Sequence, residues 1–360
     1  MKYKIAVFPG DGVGPELVSE GVKVIEKAAE LDKFEVEFVR YPYGAEHYAE
    51  TLELLDEKTL KEIKSSCNAV YCGTFENVNG QRVPSIIRNY FGHFASLMPV
   101  RLLQNAGNAD FLLVRETTEE FFAKSCGKAR NGKNREQIEV SSNAFKAKFG
   151  MSIDIKGSEI AYQIGMLSRK GCERIARYAF ELAKRKNKKK VTAIDKSNML
   201  EFHGLWKESF EKISKEYQEI SLELELADSA AMNFIRQPEK YEIVAATNLL
   251  GDILGDLATA VQGLSFACRA SIGQEISMFE PAHGSAPKLK GKGIVNPIAT
   301  IWAASLMLDS VGEQKSSLLI EKSIERVLKE EKTRTQDLNG NNTTSEMADA
   351  IIDKFIEIHD

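Results

Sequence analysis

Short apolar runs alternate with longer segments of helical period along most of this chain, and that alternation restricts it to the α/β class. Ile5 to Phe8, Ala69 to Cys72, Phe111 to Val114, Val191 to Ile194 and Ile243 to Thr247 read as buried strands. Between and after them, Glu16 to Leu31, Arg174 to Ala183, Gly204 to Tyr217 and Ala299 to Leu308 carry apolar residues at helical spacing. Residues 125–160 are more polar, rich in Lys, Ser, Asn and Gly, and read as an extended excursion rather than core. With 360 residues the chain is long enough for two domains. No internal repeat or low-complexity linker interrupts it.

Composition excludes several partners. A formal charge of −4 gives no global reason to expect nucleic acid or an anionic membrane. The basic run Lys184 to Lys190 closes a helix-like segment, where cations complement the helix dipole. Five scattered cysteines without a CxxC suit neither a disulfide framework nor a zinc site, and fit a reducing compartment. No stretch approaches the roughly 20 apolar residues of a membrane span. The segment MKYKIAVFPGDG lacks the long apolar region and cleavage site of a signal peptide. The expectation is a soluble cytoplasmic protein.

Chemistry concentrates in a few segments. In Asn248-Leu-Leu-Gly-Asp252-Ile-Leu-Gly-Asp256 the two carboxylates lie four residues apart, on one helix face. Their mutual repulsion is relieved either by solvent or by a hard divalent cation such as Mg²⁺ or Mn²⁺. In Phe279-Glu-Pro-Ala-His-Gly-Ser-Ala-Pro287 the small residues let backbone approach a planar or phosphorylated ligand, although a rigid turn explains them equally well. Gly10-Asp-Gly-Val-Gly-Pro15 lacks GxGxxG spacing, so a strand-to-helix turn with Pro15 near the helix start is the safer reading. Arg88 and Arg115 flank a segment that also holds Pro99 and Arg101, and arginine forks suit carboxylates. Lys196, in Asp195-Lys-Ser-Asn198, follows a strand and is either a surface lysine or a base.

Taken in order, these segments resemble the β-decarboxylating dehydrogenases, which act on 3-isopropylmalate, isocitrate, homoisocitrate and D-malate or tartrate. GDGVGPE at 10–16, VRETTEE at 114–120, VTAIDKSNML at 191–200, NLLGDILGD at 248–256, FEPAHGSAP at 279–287 and GKGIVNP at 291–297 carry the resemblance. It implies the isopropylmalate/isocitrate dehydrogenase-like fold, two α/β domains around a central cleft and not a standard Rossmann unit. One domain would comprise 1–98 with 263–360. The other would be 99–262, with an intersubunit arm near 125–160.

The resemblance also implies roles. Asp252 and Asp256 of one subunit, with Asp228 of a second, would bind Mg²⁺ or Mn²⁺ in a homodimer with shared sites. Lys196 and Asp228 would handle the proton. Arg88, Arg115, Asn198 and, from a following turn, Arg101 would orient the substrate, a 2-hydroxy di- or tricarboxylate. Glu280, His283, Gly284, Ser285, Ala286, Lys288 and Asn296 would line an NAD or NADP site. The metal would chelate the hydroxyl and its carboxylate, and hydride transfer would be followed by loss of CO₂.

Three departures qualify this. Met98 stands where a second substrate arginine is expected, and Phe122 where a tyrosine is expected to protonate the enolate. Tyr162 is a candidate to replace that hydroxyl. Lys288 stands where NAD-binding relatives carry an acid, and its charge leans toward the 2′-phosphate of NADP, although Gln336 and Gly340 occupy the positions of further phosphate partners. Chain length and the apolar Val83-Pro84 favour 3-isopropylmalate, the substrate expected first, while Arg82 could meet the third carboxylate of isocitrate. A catalytically weak regulatory paralogue is the rival from another class.

Overall fold

A computed structural model of the chain describes residues 1–102, 109–122, 125–142 and 144–359. The chain divides into two compact units, one built from residues 1–93 and 262–360 and the other chiefly from 94–101 and 107–261.

The first unit opens with β1 (Lys2–Gly10), α1 (Gly14–Asp32), β2 (Glu35–Arg40), α2 (Ala45–Thr51), α3 (Glu57–Ser66), β3 (Ala69–Thr74) and α4 (Val83–Tyr90). β1 pairs parallel with both β2 and β3. Every residue of β3 is buried, the pattern of a parallel strand covered on both faces. Pro15 lies in the first turn of α1, where its missing N–H costs nothing.

The second unit comprises β4 (Ala95–Arg101), β5 (Asp110–Glu116), β6 (Cys126–Ala129), β7 (Gly132–Ser141), β8 (Lys146–Ile155), β9 (Ile160–Gln163), α5 (Arg169–Arg185), β10 (Lys190–Asp195), α6 (Gly204–Ser214), β11 (Ser221–Leu226), α7 (Ala227–Arg236), β12 (Ile243–Ala246) and α8 (Asn248–Gln262). Five strands run in the order β11-β10-β12-β5-β4. The first four are mutually parallel, and β4 is antiparallel to β5. The polar excursion at 125–160 folds as two separate two-stranded antiparallel sheets, β6 with β9 and β7 with β8.

The chain then returns to the first unit through β13 (Cys268–Ile272), β14 (Met278–Pro281), α9 (Ile298–Val311), α10 (Gln314–Glu330) and α11 (Thr344–His359). There the strand order is β13-β14-β3-β1-β2. α9 is buried on all sides from Ile298 to Leu308, as expected for a helix without a polar face. It is fixed by Tyr71, whose hydroxyl donates to the Thr300 carbonyl at 2.8 Å. All five cysteines are free, four of them buried. Among the described residues no helix is long and apolar enough to cross a membrane.

Candidate active site

In the second unit, parallel β5, β10, β11 and β12 end on one edge, and Arg115, Lys196, Asp228 and Asn248 stand at or just after their carboxyl ends. Ligands of open α/β sheets bind at that edge. Arg115 closes β5 and reaches α8. Its Nε and Nη2 donate to Asn248 Oδ1 at 3.1 and 2.7 Å, and its Nη1 donates to Asp252 Oδ1. Gly251 makes this approach possible, because a Cβ there would lie 2.7 Å from Arg115 Cγ. Phe122 lies under the guanidinium, 5.4 Å from ring centroid to Cζ, a cation–π contact.

Lys196 Nζ donates to Asp228 Oδ1 at 2.7 Å, and both side chains reach solvent. The Lys196 bond, then the backbone N–H of Asp228 at the start of α7, hold this carboxyl below its ordinary range. Asn198 is exposed on the same loop. Asp252 and Asp256 point outward from α8, offering hard oxygen donors one turn apart. Among the described residues no three His, Cys, Asp or Glu side chains gather as a metal site. Asp228 therefore does not join the α8 pair within one chain.

The first unit holds the other expected residues. Arg88, on α4, donates from Nη1 to Glu280 Oε1 at 2.8 Å, and Glu280 is buried at the end of β14. The loop after β14 packs on the turn that precedes α1. Val13 N–H donates to the Ser285 carbonyl at 2.9 Å, and Gly12 is needed there because a Cβ would lie 2.0 Å from that oxygen. Gly284 has open space around it, and Ala286 adopts a left-handed φ of 40°. His283 Nε2 is buried without a hydrogen-bond partner, and burial lowers the pKa of this imidazole. A buried nitrogen without a partner next to an uncrowded glycine is suited to a ligand-binding loop. Lys288 is exposed on the same loop. Asn296 is buried, its Nδ2 bonded to Asp337 Oδ2 at 3.0 Å and its Oδ1 capping α9 at Ile298 N.

Several sequence expectations do not join these groups. Arg101 pairs with Asp110 at 2.8 Å, because antiparallel pairing sets it opposite the amino end of β5, the far end from Arg115. Met98 is buried against α8, with Thr259 Oγ1 at 3.7 Å from its sulfur, so it packs where an arginine was expected to bind. Tyr162 gives its hydroxyl to Glu136 on β7, which raises its pKa to about 12, and does not replace the hydroxyl missing at Phe122. Val83 and Pro84 belong to the buried side of α4 and pack into the core of the first unit. Two residues that sequence reasoning missed, Glu120 and His203, lie buried behind Lys196.

The signature of the isocitrate/isopropylmalate dehydrogenase family matches residues 4–351. The chain belongs to this family. It is 33% identical to the D-malate dehydrogenase (decarboxylating) of Escherichia coli, over 97% of both chains. It is 34% identical to the 3-isopropylmalate dehydrogenase of Aquifex aeolicus, over 99% of this chain and 97% of that one. The crystal structure of isocitrate dehydrogenase from Methylococcus capsulatus superposes with a TM-score of 0.80 at 31% identity, covering 98% and 99% of the two chains. The fold is thus the α/β fold of these dehydrogenases, and the chain is an enzyme of the decarboxylating-dehydrogenase type. Membership is consistent with metal-dependent oxidative decarboxylation of a hydroxy acid. The relatives differ in substrate, and the family alone does not choose among them.

Proposed function

We propose that this enzyme oxidises and decarboxylates a malate-type 2-hydroxy acid whose C3 substituent is small or polar, using NADP in preference to NAD. The observation that carries this reading is the convergence of Arg115, Lys196, Asp228 and Asn248 at the carboxyl ends of four parallel strands. Asp252 and Asp256, with Asp228 of a second copy, would hold Mg²⁺ or Mn²⁺. Bound, the cation supplies a Lewis acid for the substrate oxygens and the nicotinamide a hydride acceptor.

The chain's own groups do the rest. Lys196 Nζ exchanges the hydroxyl proton, and Asp228 keeps that ammonium oriented. Arg88 and Arg115 neutralise substrate carboxylates, each held in place by an acidic partner, Glu280 and Asp252. Buried Val83 and Pro84 remove the support for a branched alkyl group, while Arg82, exposed just before α4, and half-buried Ser85 put polar groups at the start of that helix. That polarity favours D-malate or isocitrate over 3-isopropylmalate. Lys288, exposed beside the dinucleotide loop, favours the 2′-phosphate.

A homodimer supports the missing metal ligand. Met199, Met232, Ile235 and Ile253 are all at least 49% exposed, on the Lys196 loop, α7 and α8. Such large apolar side chains suit burial by a second copy.

The test is a panel of D-malate, isocitrate, homoisocitrate, tartrate and 3-isopropylmalate with each cofactor and each metal. We expect metal-dependent reduction of NADP with D-malate or isocitrate, and a lower kcat/KM with 3-isopropylmalate. Fastest turnover of 3-isopropylmalate would overturn the substrate assignment, and no turnover of any would overturn the whole reading.

A further inference from the structure

We propose that Glu120 and His203 form a buried positioning pair that fixes the backbone of Lys196 relative to the first turn of α8. Both side chains are 0% exposed, and they lie 83 residues apart in sequence. His203 Nδ1 accepts the backbone N–H of Lys196 at 3.1 Å. That bond needs a lone pair on Nδ1, so the ring proton sits on Nε2, where it donates to Glu120 Oε1 at 2.9 Å. The same carboxylate oxygen accepts the Thr247 hydroxyl at 3.1 Å, and Oε2 accepts the Leu249 N–H in the first turn of α8. A carboxylate at that point also meets the positive end of the helix.

The backbone of Glu120 supports a fixed role. Its φ is +66°, a left-handed conformation that a residue with a Cβ rarely adopts. The residue is pinned there by its own N–H, which donates to the Met166 carbonyl at 2.7 Å. One immobile carboxylate therefore receives the Lys196 loop through an imidazole, β12 through Thr247 and α8 directly. Loss of Glu120 or His203 breaks that link and lets the lysine and the helix bearing Asp252 shift independently of each other.

Its significance for turnover rests on the assignment of Lys196 above, but the pair itself can be tested without it. In full-length protein carrying ¹⁵N-histidine, we expect the His203 ring to be neutral, with a protonated Nε2 and Nδ1 as acceptor. A protonated Nδ1 overturns the proposal whether or not any hydroxy acid is turned over.

Kinetics supply the second arm. His203→Gln keeps a donor at the Nε2 position but removes the acceptor for Lys196. We expect kcat to fall about 10- to 100-fold, the scale of loss from misplacing a reacting group by about 1 Å, with KM within about twofold. His203→Asn restores an acceptor at the Nδ1 position, and we expect it to recover most of kcat even though its contact with Glu120 is lost. Equal kcat for the two variants, with equal loss of thermal stability, would show a structural role only and overturn the proposal. A wild type active on no substrate would sink the functional reading and leave the histidine spectrum to judge the pair.

Discussion

Two acid–base pairs lie near Lys196, and they are built in opposite ways. Lys196 and Asp228 are 27% and 65% exposed, whereas Glu120 and His203 are both at 0%. An exposed ion pair is screened and contributes little to stability, so it can exchange its partner for a substrate. A buried pair cannot, because each group left unmatched keeps its full desolvation cost. The contrast separates labour within one unit: the pair in water is suited to moving protons, and the dry pair is suited to holding a frame.

The largest expected effect falls on the exposed pair. Lys196→Met should lower kcat by about 10³-fold or more, the range for loss of a general acid or base, without changing the unfolding midpoint. A loss under about tenfold would remove Lys196 from the proton path. The buried pair should respond the other way, in stability. Glu120→Ala leaves three donors unmatched and should cost about 3 kcal/mol or more in urea unfolding. Asp228→Ala should leave the unfolding midpoint where it is. Equal shifts in the two variants would erase the distinction.

Protons sharpen it further, because burial acts on carboxyl and imidazole with opposite sign. Glu116 is buried at the end of β5, and burial raises its pKa from 4.5 to about 7 despite the N–H bonds it accepts from Thr118 and Glu119. The folded form then binds the proton more tightly than the unfolded chain, so this contribution is full below pH 4.5 and is lost as pH rises through about 7. His93, in the other unit, is lowered from 6.5 to about 4 by burial, so its contribution is full above pH 6.5 and is lost as pH falls toward 4. Thermal scans across this range should show Glu116→Gln flattening the alkaline side only. An unchanged alkaline slope would contradict the assignment.

The smallest effect is expected at Arg101. Its partner Asp110 also receives Lys188 Nζ at 3.1 Å, at the strand end away from Arg115. Arg101→Ala should leave kcat/KM within about twofold, as for other peripheral ion pairs. A tenfold drop would return it to substrate binding.

What could be read from the sequence followed its local periodicities. The apolar runs found the parallel strands, because β-branched stretches such as Val191–Ile194 are buried on both faces and stand out locally, here as the heart of β10. Residues immediately beyond those strands, Lys196 above all, could be placed on a loop without knowing the topology. β4 was not legible, since Pro99 lies within it and its pairing with β5 is a tertiary fact. The same pairing carries Arg101 to the wrong edge, which spacing along the chain cannot reveal. Val83 and Pro84 looked available because apolarity does not say which side of a short helix faces the core. Glu120 ends the VRETTEE segment and His203 lies just past VTAIDKSNML, but neither segment's spacing reveals that the two side chains meet.

The most direct test of the shared-site account is subunit complementation between two inactive variants, Lys196→Met and Asp252→Asn, unfolded together and refolded at equal concentration. If each site takes its lysine from one copy and its α8 carboxylates from the other, mixed dimers carry one intact site. Activity should then return to about a quarter of wild type, half the dimers being mixed and each having one of two sites. If mixed dimers form and activity does not return, base and metal ligands belong to the same chain, and the shared-site account is wrong.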